Sequence, residues 1–203
     1  MIQPSLLFGA ILCVISAGIY YYVGRVLSRR SAMSPDSRLA WTLFIVWWYA
    51  LAAATLSSAV LSMLGALGIA GLPLFTTFTL VNILAICVAL HGLMFYLLYL
   101  FTGNRRLIGP LTVFYVACYI LLVYYLQAST PVDVTVARWS ATLEYQNQIR
   151  GPLFLLALLL LVFPQIIGGL AYLTLYFRVE TITHKYRILL VSLSIMVWFL
   201  SAF

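Results

Sequence analysis

The sequence lacks charge over a long continuous stretch. From Leu39 to Asn104 it contains no Asp, Glu, Lys or Arg, and over the whole chain 7% of residues are charged and 65% are hydrophobic. A soluble domain usually has about a quarter of its residues charged. A helix needs about 20 apolar residues to cross a bilayer, so the stretch is long enough for two spans with a break at Pro73. The sequence therefore predicts an all-α transmembrane helix bundle embedded in the lipid bilayer.

The chain also has few groups that catalyse reactions or carry ions. All four acids lie in predicted connectors, so the buried carboxylate that most proton- or sodium-coupled carriers use is missing. The only lysine, Lys185, lies at a predicted helix end, which argues against a retinal Schiff base. The sequence contains no nucleophile elbow, Cys-x-x-Cys pair, metalloprotease His-Glu motif or phosphate-binding glycine loop. We therefore expect a non-enzymatic protein without catalytic residues.

The cysteines argue against a protein held by disulfides or zinc, and the positions of the charges argue against a nucleic-acid-binding protein. Cys13, Cys87 and Cys118 are odd in number and lie in apolar segments, which is typical of small core residues rather than of a disulfide framework or a zinc site. The net charge of +7 is concentrated at predicted helix ends, where it anchors spans at the membrane surface. We therefore expect no nucleic-acid partner.

The apolar segments predict one transmembrane domain over residues 1–203. Its six spans are expected at about residues 5–23, 39–67, 74–101, 110–126, 152–177 and 184–203. Gly103, a residue suited to a left-handed helix end, closes the third span. Six spans return the chain to the side on which it began, so the sequence leaves open a seventh helix beyond Phe203.

The distribution of basic residues predicts the orientation, because cytoplasmic connectors are enriched in Lys and Arg. The connectors after spans one, three and five hold nine of them: Arg25, Arg29, Arg30, Arg38, Arg105, Arg106, Arg178, Lys185 and Arg187. The opposite side holds only Arg138 and Arg150. We therefore expect the basic connectors in the cytoplasm and the N-terminus outside the plasma membrane.

The longest connector runs from Ala128 to Arg150, on the predicted outer side. Valine alternates with other residues from Val132 to Val136. Trp139 and Leu143 then lie four apart, which predicts a short helical stretch. Trp139 and Tyr145 suit the headgroup layer of the membrane, and Trp139 is also a candidate ligand-lining residue. The segment is either a lid over an external pocket or a simple connector.

His91 is the only ionisable residue well inside a predicted span. It shares a helix face with Cys87, Phe95 and Tyr99, so His91, Phe95 and Tyr99 are candidate ligand-lining residues. The imidazole could bind a metal or a haem, but the chain offers no second axial ligand at that depth. A neutral histidine bonded to a neighbouring helix is the favoured interpretation. We expect no metal and no cofactor, and a colourless purified protein.

The fifth span contains a second group of candidates. Gln165, Gly169, Tyr172 and Tyr176 fall on one stripe, and Pro164 precedes them. A proline kink beside close-packing glycines could line a polar cavity, although glycine and proline are common in membrane helices for other reasons. Gln165, Gly169 and Tyr172 are therefore candidate ligand-lining residues.

The second span contains a small residue at every fourth position over three steps. This spacing lets two helices pack backbone to backbone, and we call these four residues the small-residue seam: Ala50, Ala54, Ser58 and Ser62. Trp47 and Trp48 lie too deep for an interfacial belt and are expected in the core of the bundle.

Several of these features occur together in a known family. The pattern has three parts. The N-terminus is outside, the segment from Phe95 to Tyr99 runs into Thr102 to Arg106, and the last helix runs from Tyr186 to Trp198. This pattern resembles the seven-helix N-terminal sensory region of prokaryotic membrane histidine kinases. The resemblance implies a helical bundle with a sensory role. It implies no catalytic residue here, because the sequence contains no kinase motif.

Together these features predict a sensory or regulatory membrane module. Its pocket is expected on the outer side, between helices three and five and the connector from Ala128 to Arg150, and to accept a small apolar or amphipathic ligand. The alternative is a membrane anchor or accessory subunit that docks a homodimer partner or a larger membrane complex through the small-residue seam.

Overall fold

The computed structural model of the protein describes residues 3–29, 38–69, 71–138, 140–145, 150–182, 185, 186, 188, 189 and 193. Its helices are α1 (Pro4–Arg29), α2 (Arg38–Leu67), α3 (Leu72–Thr102), α4 (Ile108–Ala128), α5 (Arg150–Ala157) and α6 (Phe163–Arg178). A 3₁₀ turn, Arg105–Leu107, precedes α4, and a π-helical turn, Leu158–Val162, joins α5 to α6. Two strands, β1 (Pro131–Val136) and β2 (Ala141–Tyr145), follow α4.

Within the described residues, five helices are long and apolar enough to cross a membrane, counting α5, the π turn and α6 as one. They coincide with the first five predicted spans and extend them by up to six residues at either end. Gly103 ends α3 as expected, with a φ of 63° and a backbone N–H that donates to the Tyr99 carbonyl at 2.8 Å. Most of the predicted sixth span, residues 184–203, lies outside the described residues.

Consecutive helices pack against one another along the bundle. The Gln3 N–H donates to the Ala66 carbonyl at 3.2 Å, and the Trp41 indole donates to the Leu27 carbonyl at 3.2 Å, so α1 and α2 are antiparallel. α2 packs against α3, and α6 contacts α3. The Arg178 guanidinium lies 5.7 Å from the centre of the Phe101 ring, so α3 and α6 finish at the same end.

These contacts bring most of the described basic residues to one end of the bundle. We call the end that holds Arg29, Arg38, Arg105, Arg106 and Arg178 the basic end, and the opposite end the hairpin end. Large apolar side chains such as Phe8, Ile120 and Phe154 are exposed along the sides between them. Such a belt suits contact with lipid acyl chains.

The hairpin corrects the prediction for the connector after α4. β1 and β2 pair antiparallel, with Val134 opposite Leu143, so the predicted helical stretch from Trp139 to Leu143 is wrong. Trp139 itself lies outside the described residues. Cross-strand pairing, including a bond from the Thr135 hydroxyl to the Glu144 carboxylate at 3.3 Å, stabilises a strand there. The fold is therefore a helical bundle with one small hairpin.

The hairpin is attached to the ends of α1 and α2. The Ser5 hydroxyl donates a hydrogen bond to the Arg138 carbonyl. A Cβ atom on Gly65 would lie 2.7 Å from the Cβ of Ala141, so only glycine allows β2 to approach α2 this closely. The hairpin therefore lies against the helix ends.

Candidate functional site

A cavity of about 290 Å³ lies between α2, α3 and α4. We call it the His91 cavity; its principal lining residues are Leu43, Val46, His91, Phe95, Thr112 and Tyr115. Leu43 lies five residues after the start of α2, roughly 7 Å along the helix from Arg38. Thr112 is likewise near the start of α4. The cavity therefore occupies the half of the bundle nearer the basic end.

His91 is held in one orientation inside this cavity. Its Nδ1 lies 2.5 Å from the Cys87 carbonyl oxygen. Because a carbonyl oxygen only accepts, Nδ1 carries the hydrogen, and in the neutral ring Nε2 then carries a lone pair. The ring centre lies 3.9 Å from that of Tyr115, which restricts rotation. His91 therefore combines a fixed ring with an acceptor atom at Nε2.

That acceptor has no partner among the described residues. Nε2 is buried without a hydrogen bond, and the His91 side chain is 8% exposed. The Tyr115 hydroxyl does not reach it, since this hydroxyl donates to the Met94 sulfur at 3.5 Å. A buried polar atom without a partner is unfavourable. A ligand that enters the His91 cavity could supply the missing hydrogen bond.

The His91 cavity opens sideways between the helices. Three apolar residues that line it, Leu84, Val88 and Val116, are also exposed on the outer surface of the bundle. They lie on α3 and α4 within the apolar belt. The mouth of the cavity therefore opens on the exposed apolar belt of the bundle.

The predicted candidates on α3 divide between two locations. His91 and Phe95 line the same cavity, and their ring centres are 6.2 Å apart. Tyr99 lies one turn further on, where its hydroxyl accepts a hydrogen bond from Arg105 Nε at 3.3 Å. Tyr99 therefore belongs to the basic end and not to the lining of the His91 cavity.

The candidates on α6 lie apart from the cavity. Gln165 and Gly169 are buried, and the Gln165 side-chain oxygen has no partner within the described part of the chain. Tyr172 packs beside the core formed by Trp47, Leu93 and their neighbours. The structure therefore does not join the α6 residues to His91 in one pocket.

The predicted kink near Pro164 takes the form of the π turn. The Phe163 N–H donates to the carbonyl of Leu158, five residues earlier, where an α-helix would use a residue four earlier. Pro164 has no N–H to donate and its ring crowds the preceding turn. The wider π turn accommodates both effects without ending the helix.

The hairpin end carries a second, smaller hollow. It measures about 150 Å³ and lies between α3, α4 and the hairpin, lined by residues that include Thr76, Gln127, Leu143 and Tyr145. Its lining includes no residue of α5 or α6. The main cavity thus differs from the expected external pocket in position and in the helices that form it.

The small-residue seam packs against α3 of the same chain. Ala50 and Ala54 are buried, and Asn82 of α3 donates from Nδ2 to the Ala54 carbonyl at 3.2 Å and to the Ser58 hydroxyl at 2.5 Å. Ser62 is half-buried. Sequence reasoning missed Asn82, although an amide inside an apolar span was a signal that could have identified it. The side of α2 that carries Ala54 and Ser58 therefore faces α3.

No protein-family model, curated protein or solved structure matches this chain. No group of three or more His, Cys, Asp or Glu residues that could hold a metal occurs within the described ranges. The geometry of the His91 cavity is therefore the main evidence for a function.

Proposed function

We propose that this protein is a non-enzymatic sensory or regulatory module of the membrane that binds a small apolar or amphipathic ligand in the His91 cavity. The observation that carries the proposal is an apolar cavity whose lining includes His91, with a buried Nε2 that has no hydrogen-bond partner among the described residues. Small-molecule sites commonly combine apolar walls with a few polar groups that orient the ligand. The proposed site replaces the external pocket expected from the sequence.

The proposal includes a topology. Six spans cross the cell membrane, the N-terminus is outside, and the basic end is in the cytoplasm. Support comes from the positive-inside tendency of membrane proteins and from the grouping of Arg29, Arg38, Arg105 and Arg178 at one end. The hairpin then lies at the outer surface, and the His91 cavity lies in the inner half of the bilayer.

The element that would respond to ligand is α4. It forms one wall of the His91 cavity, and its buried residues are Tyr115, Cys118 and Leu122. A ligand that binds better to one position of α4 than to another would shift the balance between them. The Arg105–Leu107 turn leads directly into α4 and would transmit the change to the cytoplasmic side. This behaviour fits the sensory role implied by the resemblance to histidine-kinase sensory regions.

The anchor alternative has weaker support. It needs a face that is free to dock another protein, and the small-residue seam was the candidate. Ala54 and Ser58 of that seam are already bonded to Asn82 of the same chain. Docking through this part of the seam would require those contacts to break.

Binding of naphthalene by the chain in lipid nanodiscs tests the proposal. Wild-type discs should retain more naphthalene than protein-free discs, and Val116→Trp should remove the excess because Val116 lines the cavity mouth. Val113→Trp is the matched control, since Val113 is exposed on α4 without lining the cavity. Bound naphthalene should also slow hydrogen exchange in the Arg105–Leu107 turn. Equal retention by wild-type and protein-free discs, or binding without any change in exchange, would refute the proposal.

A further inference from the structure

The hydrogen-bonding state of the cavity wall restricts the chemistry of a ligand. The Thr112 hydroxyl donates to the Ile108 carbonyl at 2.7 Å, and the Tyr115 hydroxyl donates to the Met94 sulfur. The Nδ1–H of His91 is used by the Cys87 carbonyl. These hydrogens are therefore already bonded, while Nε2 of His91 has no donor in the part of the chain that the structure describes.

An unpartnered acceptor selects for a ligand that donates. A ketone, an ether or an ester offers only acceptor oxygens, so Nε2 stays unsatisfied when such a molecule binds. A carboxylate also only accepts, and it would be costly to bury in a membrane cavity. An ammonium group could donate, but no Asp or Glu lines the cavity to balance its charge.

A hydroxyl group meets the requirement without charge. It can donate to Nε2 of His91, and it carries no charge that would have to be balanced inside the cavity. The volume of about 290 Å³ is roughly twice that of an apolar cavity that admits benzene. A compact ring system with one hydroxyl therefore fits the space and the chemistry.

We infer that the His91 cavity takes a neutral, membrane-soluble alcohol or phenol whose hydroxyl donates to Nε2 of His91, and that this ligand enters sideways from the hydrocarbon layer. The inference rests on the proposed function and names the ligand class of the same cavity. The exposed apolar residues Leu84, Val88 and Val116 at the mouth provide the route, since they offer no polar barrier to a molecule dissolved among acyl chains.

A matched pair of probes tests this inference. 2-Naphthol carries a hydroxyl hydrogen, and 2-methoxynaphthalene has a similar shape without that hydrogen. After correction for each probe's uptake by protein-free discs, wild-type discs should bind 2-naphthol about fivefold more tightly. His91→Phe should bind both alike, because phenylalanine keeps a ring beside Tyr115 and lacks the acceptor. Val113→Phe is the control and should keep the preference, because Val113 is exposed on α4 and is not among the residues that line the cavity.

A spectroscopic measurement on the unaltered chain covers the case in which His91→Phe does not fold. The chain has two histidines, so ¹⁵N labelling gives a small set of ring signals, and His184→Gln assigns those of His91. 2-Naphthol should shift the Nε2 signal, whereas 2-methoxynaphthalene should not.

The outcomes separate this inference from the proposed function. If both probes bind equally, and Val116→Trp still excludes them, the hydroxyl requirement is wrong while the binding cavity stands. If neither probe nor naphthalene binds, both the inference and the proposed function fail.

Discussion

The side chain of Asn82 joins α3 to α2 by donating to the Ala54 carbonyl at 3.2 Å. The same amide reaches the Ser58 hydroxyl, so one residue of α3 bonds two successive positions of the small-residue seam. Small residues let helices approach closely enough for a short amide to cross the gap. The α2–α3 pair is therefore held by close packing and by a polar contact.

Replacing Asn82 with leucine should destabilise the bundle by about 1 kcal/mol, because interhelical hydrogen bonds in membranes contribute about that much. Unfolding in mixed micelles would measure it. Thr79→Val is the control, since the Thr79 hydroxyl bonds the Phe75 carbonyl of its own helix. Adding Ser58→Ala to the Asn82→Leu chain should lower the free energy of unfolding by almost nothing further. Additive losses in the double variant would contradict the direct contact.

Gly65→Ala should detach the hairpin from α2. The new Cβ would lie 2.7 Å from the Cβ of Ala141, and overpacking of this kind costs about 1–3 kcal/mol. Hydrogen exchange in β1 should accelerate. Gly9→Ala is the control, because nothing lies within 4 Å of its added methyl group. Ala141→Gly should restore protection to the Gly65→Ala chain, and failure of that rescue would argue against the clash.

Cysteine labelling in intact cells tests the proposed topology. A cysteine at Ser140, in the hairpin, should react with a membrane-impermeant maleimide, while one at Asn104 should react only after the cells are opened. Both positions are exposed in the structure. Reaction at Asn104 in intact cells without reaction at Ser140 would reverse the orientation.

Tyr145 should make hairpin docking sensitive to high pH. Burial raises the pKa of Tyr145 above its usual value of 10.0, so the docked hairpin holds the phenol proton more tightly than the unfolded chain does. The stabilisation is present below the unfolded pKa and is lost as the pH rises through the folded value. Between about pH 9 and about pH 11 the wild type should therefore lose more thermal stability than Tyr145→Phe. Equal losses in the two chains would show that Tyr145 does not contribute.

The sequence by itself determined where the five long apolar helices lie. The local signals are the uncharged stretch from Leu39 to Asn104, the break near Pro73 and the helix end at Gly103. Bilayer thickness relates the length of an apolar stretch to the length of a helix, and backbone conformation at proline and glycine sets where the helix ends. Such signals depend on residues close together in the chain, so no knowledge of neighbouring helices is needed.

Only the tertiary structure decided which faces meet. Helical spacing put His91, Phe95 and Tyr99 on one face, but it contained nothing about Tyr115, which lies 24 positions after His91 and packs on its ring. The four-residue spacing from Trp139 to Leu143 predicted a helix, and it contained nothing about Val134, the strand partner of Leu143 nine positions earlier. The His91 cavity exists because α4 is packed beside α3 while leaving a gap toward α2. Periodicity defines a surface within one element, whereas a cavity or a strand pair depends on distances between elements that only packing sets.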